Sequence, residues 1–553
     1  MKKRGNLIFE WANHLRSASG IIFAAAIPWG HVTGYIAGCL GLITLPFSQG
    51  YKYNPKPKRI LLACLWLFLL WGLVLTFTIS IRPGRSFETI FGYFGHWILP
   101  FLLGYAICAK FRIPIVYIWI ISLLALGLAS LPAYLGWIDA PRLSSEGLLK
   151  GLHTHIQFGT LLLMALHFLL AFFLIPGLEK KRTVIYGIAA LLASFMIILT
   201  GSRGVWFAGI VSITGALIHS VIVNRRRGPA IAFLVLGSIS AAIAIFAFPQ
   251  VRARIDRTGR DDLSYIYRRN MYIMAGDILS ENPVFGIGPG QVKYAKKYYD
   301  RMEAAGLPVE TGYLKKNHLH NMFLHTAAEF GLPGLGLLGI ILASIVWIAI
   351  LAIKSSNELS RGTAYGFLWA TVAIATGELL DCLLRGPPIA MEFFFFAGIL
   401  AGIASQSSGK KSLRRGDKVL IAQADSLCDE ATAFKIARAL KARYPGITVD
   451  LLCRSDTIKT AGTGREIDKV LPFENGISKV AKQINKNRYK IAILANPDRK
   501  AAFALWFAEI PVRIGSGHRI WSPFLLTCRL FRTRKNDRDF LANAVLELYD
   551  AKL

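Results

Sequence analysis

The stretch "NHLHNMFLH", residues 317–325, sets three histidines and two asparagines against an apolar run. A neutral imidazole can accept a proton near neutral pH, so His318 and His320 are candidates for general-base work on a hydroxyl nucleophile. Two residues apart, the rings share a face if the chain is extended and splay if it is helical. With His153 and His155 of "GLHTHIQ" the pair could also ligate a metal, although neither pair shows a recognised zinc spacing with a third ligand. Capping the helix that follows is a third reading. Asn321 could orient a sugar or a ring, and Glu329 could tune or hold a histidine.

Cations gather in the same class of loop. Arg203 lies in "TGSRGVW", Arg268 and Arg269 in "YRRNMYIMAG", and Arg82, Arg85 and Arg385 at other ends of apolar runs. An arginine fork binds diphosphate oxygens in a planar, often bidentate way without a metal. The alternative is that these arginines anchor a membrane rim or pair with Asp256, Asp261 and Asp262. That alternative is weakest for Arg203, whose Gly-flanked turn brings no carboxylate and presents backbone N–H groups. Glu378, Asp381 and Arg385, at i, i+3 and i+7, share one helical face, and the acids are expected to pair with arginines or form a structural ion network.

These residues must be held by membrane helices. The chain has 553 residues, 54% of them hydrophobic, and its apolar runs are long enough to span hydrocarbon. Twelve are read: 17–30 and 31–47 (short or broken), 60–79, 87–109, 114–136, 156–176, 183–200, 204–224, 229–249, 332–354, 363–382 and 389–406. The basic start, MKKR, precedes a first run without a small-residue cleavage site, which reads as a retained span. Lysine and arginine then set the orientation. With the amino terminus inside, the loops at Lys52–Arg59, Lys110/Arg112, Lys180–Arg182, Arg225–Arg227 and Lys354/Arg361 are cytoplasmic, and the chain returns at Lys410, Lys411, Arg414 and Arg415.

The net charge of +31 therefore reports topology and attraction to anionic membrane lipids, not nucleic acid. The seven cysteines (Cys39, Cys64, Cys108, Cys382, Cys428, Cys453 and Cys528) avoid the large outer loop and CxxC spacing, so neither a disulfide framework nor a zinc site is expected.

The expected organisation is transmembrane helices one to nine in 1–249, a large periplasmic loop in 250–331 carrying catalytic residues, helices ten to twelve in 332–406, a linker in 407–417 and a soluble tail in 418–553. Within the loop, 264–280 has helical periodicity, "GIGPG" (286–290) is a turn, and 317–330 reads as a helix feeding the tenth span. In the tail, "KVLIAQA", "ITVDLL", "DKVLPF", "YKIAILAN" and "VRIG" read as strands alternating with helices at 430–443, 476–487 and 536–550 and one more between the last two strands. That alternation argues for a parallel sheet flanked by helices, a Rossmann-like α/β domain on the cytoplasmic side.

The order of motifs resembles the O-antigen ligase family, whose related members include O-antigen polymerases. The resemblance rests on "GSRG" (201–204), "RRNMYIMAGDILSENPVFGIGPG" (268–290) and "HLHNMFLHTAAEFGLPGLG" (318–336). The family pattern falls on Arg268, Tyr272 (where tryptophan is common), Pro283–Gly288, His320, Asn321, Leu324, Glu329, Gly331 and Gly334. The resemblance implies a glycosyltransferase C-type membrane fold and metal-independent, inverting transfer of a glycan from undecaprenyl diphosphate to lipid A–core at the periplasmic face of the inner membrane. No cofactor is implied. His320 suits activation of the acceptor hydroxyl. Arg203 with Arg268 or Arg269 suits the diphosphate, and His318, Asn321 and Glu329 support them.

The tail is similar to the first half of heptosyltransferase-like glycosyltransferases. Ala424-Asp425-Ser426 replaces the usual Gly-Asp, and the second half is not present in 418–553, so no independent catalysis is expected. By analogy its role is docking to a cytoplasmic glycosyltransferase. The rival readings are a polymerase of the same superfamily and a periplasmic protein-glycosylating ligase. A transporter would place polar groups near the midplane and show inverted repeats, which are not seen. A pure scaffold would not need these cations and histidines on one side.

Overall fold

The computed structural model describes residues 2–43, 56–107, 109–145, 147–223, 225–256, 263–307, 318–408, 413, 415–423, 430–454, 466–473, 476–495, 498–508, 510, 512–516, 525–526 and 528–530. The chain divides into two compact units: a helical one of Leu15–Ile43 and Lys56–Ala404, and a smaller one that takes in Met1–His14 and the residues from Ser405 onward.

Helix α1 (Lys2–Ala26) belongs to the helical unit from Leu15 on, and with α2 (His31–Ile43) and α3 (Lys56–Thr78) it leads into α4 (Pro83–Tyr93), which passes through a π-helical turn at Phe94–Ile98 into α5 (Leu99–Ala106). The long helices α6 (Ala109–Tyr134), α7 (His155–Leu174), α8 (Lys180–Leu199), α9 (Arg203–Ile222) and α10 (Arg227–Ala247) follow, with a short antiparallel ladder, β1 (Ser144–Ser145) with β2 (Leu148–Leu149), before α7. Next come α11 (Pro249–Asp256), α12 (Leu263–Glu281) and α13 (Lys296–Ala304), then α14 (Met322–Ile353), α15 (Glu358–Gly377) and α16 (Pro387–Ser408).

Among the described residues, eight helices are long and apolar enough to cross a membrane: α3, α6, α7, α8, α9, α10, α14 and α16. The chain is a multi-pass membrane protein. The other four expected spans take different forms. Run 17–30 is absorbed into α1, run 31–47 gives the 13-residue α2, run 87–109 is divided among α4, the π turn and α5, and run 363–382 becomes α15, which stops at Gly377. Burial explains where the bundle centre lies. Helix α16 carries Phe393, Phe394, Phe395 and Phe396, all fully buried, as expected of a helix apolar all round. Trp119 and Phe168 close on Phe396, and Trp97 stacks on Phe394 at 5.1 Å.

The smaller unit holds six parallel strands: β3 (Lys418–Gln423), β4 (Thr448–Cys453), β5 (Lys469–Pro472), β6 (Ile491–Leu494), β7 (Val512–Ser516) and β8 (Cys528–Leu530), in the order β5-β4-β3-β6-β7-β8. Alternation along β3 explains the layers. Val419 and Ile421 pack with α17 (Glu430–Arg443), while Leu420 and Ala422 pack with α18 (Ile477–Lys486) and α19 (Arg499–Phe507) on the opposite face. The five strands read from sequence are present, β8 is additional, and the helix expected at 536–550 lies outside the described residues.

Candidate active site

The Pro-x-x-Gly-x-Gly loop and the Glu-x-Gly segment are two halves of one joint. Helix α14 breaks at Gly331, where φ is 68° and ψ −175°. The break frees helical carbonyls, and each finds a new donor. Ile287 N–H donates to Ala328 O (2.9 Å), Gly288 N–H to Glu329 O (3.0 Å) and the Trp71 indole to Phe330 O (2.8 Å). Leu332 N–H returns to Pro283 O at 2.8 Å. A Cβ on Gly331 would sit 2.0 Å from Val284 O, and one on Gly286 2.5 Å from Ala328 O. Both contacts are with rigid backbone, so the glycines serve close packing of loop on helix, not phosphate. Gly331→Ala is expected to cost about 3 kcal/mol through strained backbone and this clash, read as a lowered melting temperature in detergent. Gly336→Ala on the same helix meets open space and is the near-neutral control.

This joint anchors the start of α14 and the histidines before it. The segment expected to be helical from 317 begins its helix only at Met322. Asn321 is the N-cap: its Oδ1 accepts from Leu324 N–H (3.0 Å) and its Nδ2 donates to Leu379 O (3.1 Å). Its amide is therefore committed to backbone, and the cap foreseen for a histidine belongs to Asn321. His320 adopts φ 50°, a left-handed conformation rare for such a residue. The Tyr272 hydroxyl of α12 reaches Leu379 O at 2.9 Å and His320 O at 3.1 Å. That bend brings the His318 and His320 rings to 4.4 Å between centroids, edge to face.

Asp381 receives both rings. His320 Nδ1 lies 3.4 Å and His318 Nδ1 3.9 Å from Asp381 Oδ1. Burial pushes the His318 pKa well below the ordinary histidine value, so this imidazole stays neutral. The expected helical face of Glu378, Asp381 and Arg385 does not form, because α15 ends at Gly377. Glu378 turns back to accept from the N–H groups of Leu383 (2.9 Å) and Leu384 (2.7 Å). Arg385 donates to His325 Nε2 at 2.8 Å. Glu329, fully buried, lies 3.3 Å from the same nitrogen. Glu329 thus lies beside His325 and not beside His318 or His320, and its other carboxylate oxygen accepts from Val292 N–H at 3.5 Å.

Arg203, Arg254, Arg268, His155, His320 and Asp381 line one cavity of about 200 Å³. Arg203 is the first residue of α9, and Arg268 comes from the middle of α12. Arg269, one position on and so about 100° around the helix, is exposed and is not among the lining residues. Arg254 at the end of α11 passed unnoticed in the sequence; its only signal is an outer loop position, shared with several other arginines. A second, larger cavity of about 670 Å³ shares His155, His320 and Asp381 with the first and adds Lys150, His318 and Arg385. His320 stands where the two meet.

The site has cations, a buried and a half-buried histidine and an acid, the equipment for neutralising a leaving anion while deprotonating a nucleophile. Residues 188–339 match the family model described as O-antigen ligase. The chain carries an O-antigen ligase family domain. That match supports a glycosyltransferase-type enzyme of the ligase or polymerase kind. The O-antigen ligase segment includes Arg203, Arg254, Arg268 and His320, whereas His155 and Asp381 lie outside it. No curated protein matches the chain.

Solved structures similar to the chain include two glycosyltransferases. A family 9 glycosyltransferase from Veillonella parvula is 19% identical with a TM-score of 0.23, covering 25% of this chain and 43% of its own. The ADP-heptose lipopolysaccharide heptosyltransferase II of E. coli is 23% identical with a TM-score of 0.19, covering 22% and 36% respectively. The chain thus spans less than half the length of either enzyme.

Proposed function

We propose that the protein transfers a glycan from undecaprenyl diphosphate to a hydroxyl of lipid A–core, as an O-antigen ligase in lipopolysaccharide synthesis. The observation that carries this reading is that Arg203, Arg268 and His320, from three separate segments, line one cavity. The donor diphosphate lies between the two guanidinium groups, with Arg254 beside them. The acceptor hydroxyl enters through the larger cavity and meets His320. With Asp381 facing Nδ1, Nε2 of His320 takes the hydroxyl proton. The acceptor oxygen forms a bond to the anomeric carbon as the bond from that carbon to the diphosphate oxygen breaks, and the electron pair leaves with the diphosphate. Attack opposite the leaving group inverts the anomeric centre.

A diphosphate is a good leaving group and the arginines offset its growing charge, so the step is expected to run without a metal or a nucleotide. The rims of lysine and arginine support an inner-membrane orientation with this site periplasmic and the α/β unit cytoplasmic. The α/β unit is proposed to dock a cytoplasmic glycosyltransferase.

The test incubates purified protein with undecaprenyl-diphosphate-linked glycan and lipid A–core, with chelator and without nucleotide. A glycan–lipid A band is the expected product. Longer carrier-linked chains in place of that band make the protein a polymerase, and no product of either kind rejects glycosyl transfer.

A further inference from the structure

His318, His320 and Asp381 each offer a ligand atom, and these atoms lie within 4.8 Å of one another. Tetrahedral zinc, with bonds of about 2.0–2.1 Å to nitrogen and oxygen, needs ligand-to-ligand edges of about 3.3 Å. The edge from His320 Nδ1 to Asp381 Oδ1 is 3.4 Å and that from His318 Nδ1 is 3.9 Å. The first is in place, and the two edges that involve His318, both within 4.8 Å, shorten as its ring moves onto the ion. His318 Nδ1 is buried and makes no hydrogen bond, a cost that a metal bond would remove. The larger cavity borders all three residues and has room for a fourth ligand, water or His155. Two imidazoles and a carboxylate are a donor set that suits zinc and its neighbours better than calcium or magnesium.

We propose that this triad is a transition-metal site of the zinc type, and that its occupancy switches the transferase off. The switching part rests on the proposed role of His320. An active His320 carries its proton on Nδ1, towards Asp381, and keeps the Nε2 lone pair for the acceptor hydroxyl. A zinc ion on Nδ1 forms coordinate bonds to His318, His320 and Asp381, and the imidazole proton moves to Nε2. The base then has no lone pair to offer. No electron is transferred and no other bond breaks, so removing the ion restores the active tautomer. Asp381 changes from orienting a base to holding a cation, with its position unchanged.

The test uses the full chain in detergent micelles. Zinc is titrated against a chromophoric indicator, and cobalt replaces it as a spectroscopic probe, since a four-coordinate site gives intense visible bands. The wild type is expected to bind one zinc per chain, and His318→Gln to weaken binding by about tenfold or more. Asp381→Asn should do the same, and it serves as the second variant if His318→Gln melts early. In the transfer assay, zinc should inhibit the wild type and chelator restore it. The zinc concentration for half inhibition, measured against each variant's own metal-free rate, should rise with the weakened binding. Failure of the wild type to bind zinc, or wild-type affinity in both variants, overturns the site. Stoichiometric binding without inhibition overturns the switch. Binding that depends on His318 in a protein with no metal-free transfer supports the site and rejects the transferase reading, so the two failures are distinguishable.

Discussion

His320→Ala is expected to lower transfer by about 10²–10⁴-fold, the range that general-base catalysis contributes. The reason is geometric. His320 is 5% exposed and stands where the two cavities meet. Its ring is held by the left-handed bend, by Tyr272 beneath its carbonyl and by Asp381 at Nδ1. No other lining residue shared by the cavities is set in this way. His155, which opens α7, also borders both. Loss should fall on turnover more than on donor binding, because the proton moves only in the reaction step. Steady-state rates with varied donor and acceptor separate the two. A His320→Ala protein of wild-type melting temperature that retains full turnover refutes the base assignment and leaves the segment a structural one.

The second large effect is expected at the arginines. Arg203→Ala and Arg268→Ala should each reduce turnover by about 10²–10³-fold, as for removal of a donor aimed at developing negative charge. Lysine at either position should restore only part of it, since a point charge cannot reproduce the bidentate fork. Arg269→Ala should stay within about twofold of the wild type, because exposed cations away from the reacting groups contribute little. Arg203 has a further advantage. It opens α9, whose N-cap Ser202 makes no side-chain hydrogen bond to the first turn, so the positive end of the helix dipole faces the same cavity. Parallel rates for the three alanine variants decide the matter. Equal losses at Arg268 and Arg269 would show that α12 acts through bulk charge and not through a placed guanidinium.

Much of this was legible in the chain itself, and the reason lies in what local pattern encodes. Length and apolarity of a run report burial in hydrocarbon, so the long helices were evident, and short apolar runs alternating with helical stretches revealed β3 to β7. Arg203, Arg268 and His320 stood out because cations and histidines at the end of apolar runs are costly without a purpose. Position along the chain could not say which partner each polar group would take. Asp381 reaches His320 from about 60 residues away, and only because α15 stops at Gly377 and the chain turns. Glu378, read on the same helical face, instead satisfies the backbone of that turn.

The same limit separates Arg268 from Arg269. Adjacent residues with the same side chain are equivalent in composition, and only the packed face of α12 distinguishes them. Asn321, which could have oriented a sugar, is taken up by the cap, since unsatisfied backbone must be answered before any ligand arrives; Glu329, read as a partner for a histidine, lies beside His325. The sequence by itself determined a multi-pass membrane chain with cations and histidines beside its apolar runs, and an α/β tail. The kink at Gly331, the bend at His320 and the placing of Asp381 and Arg254 were decided by tertiary structure, because each depends on backbone meeting backbone from distant segments.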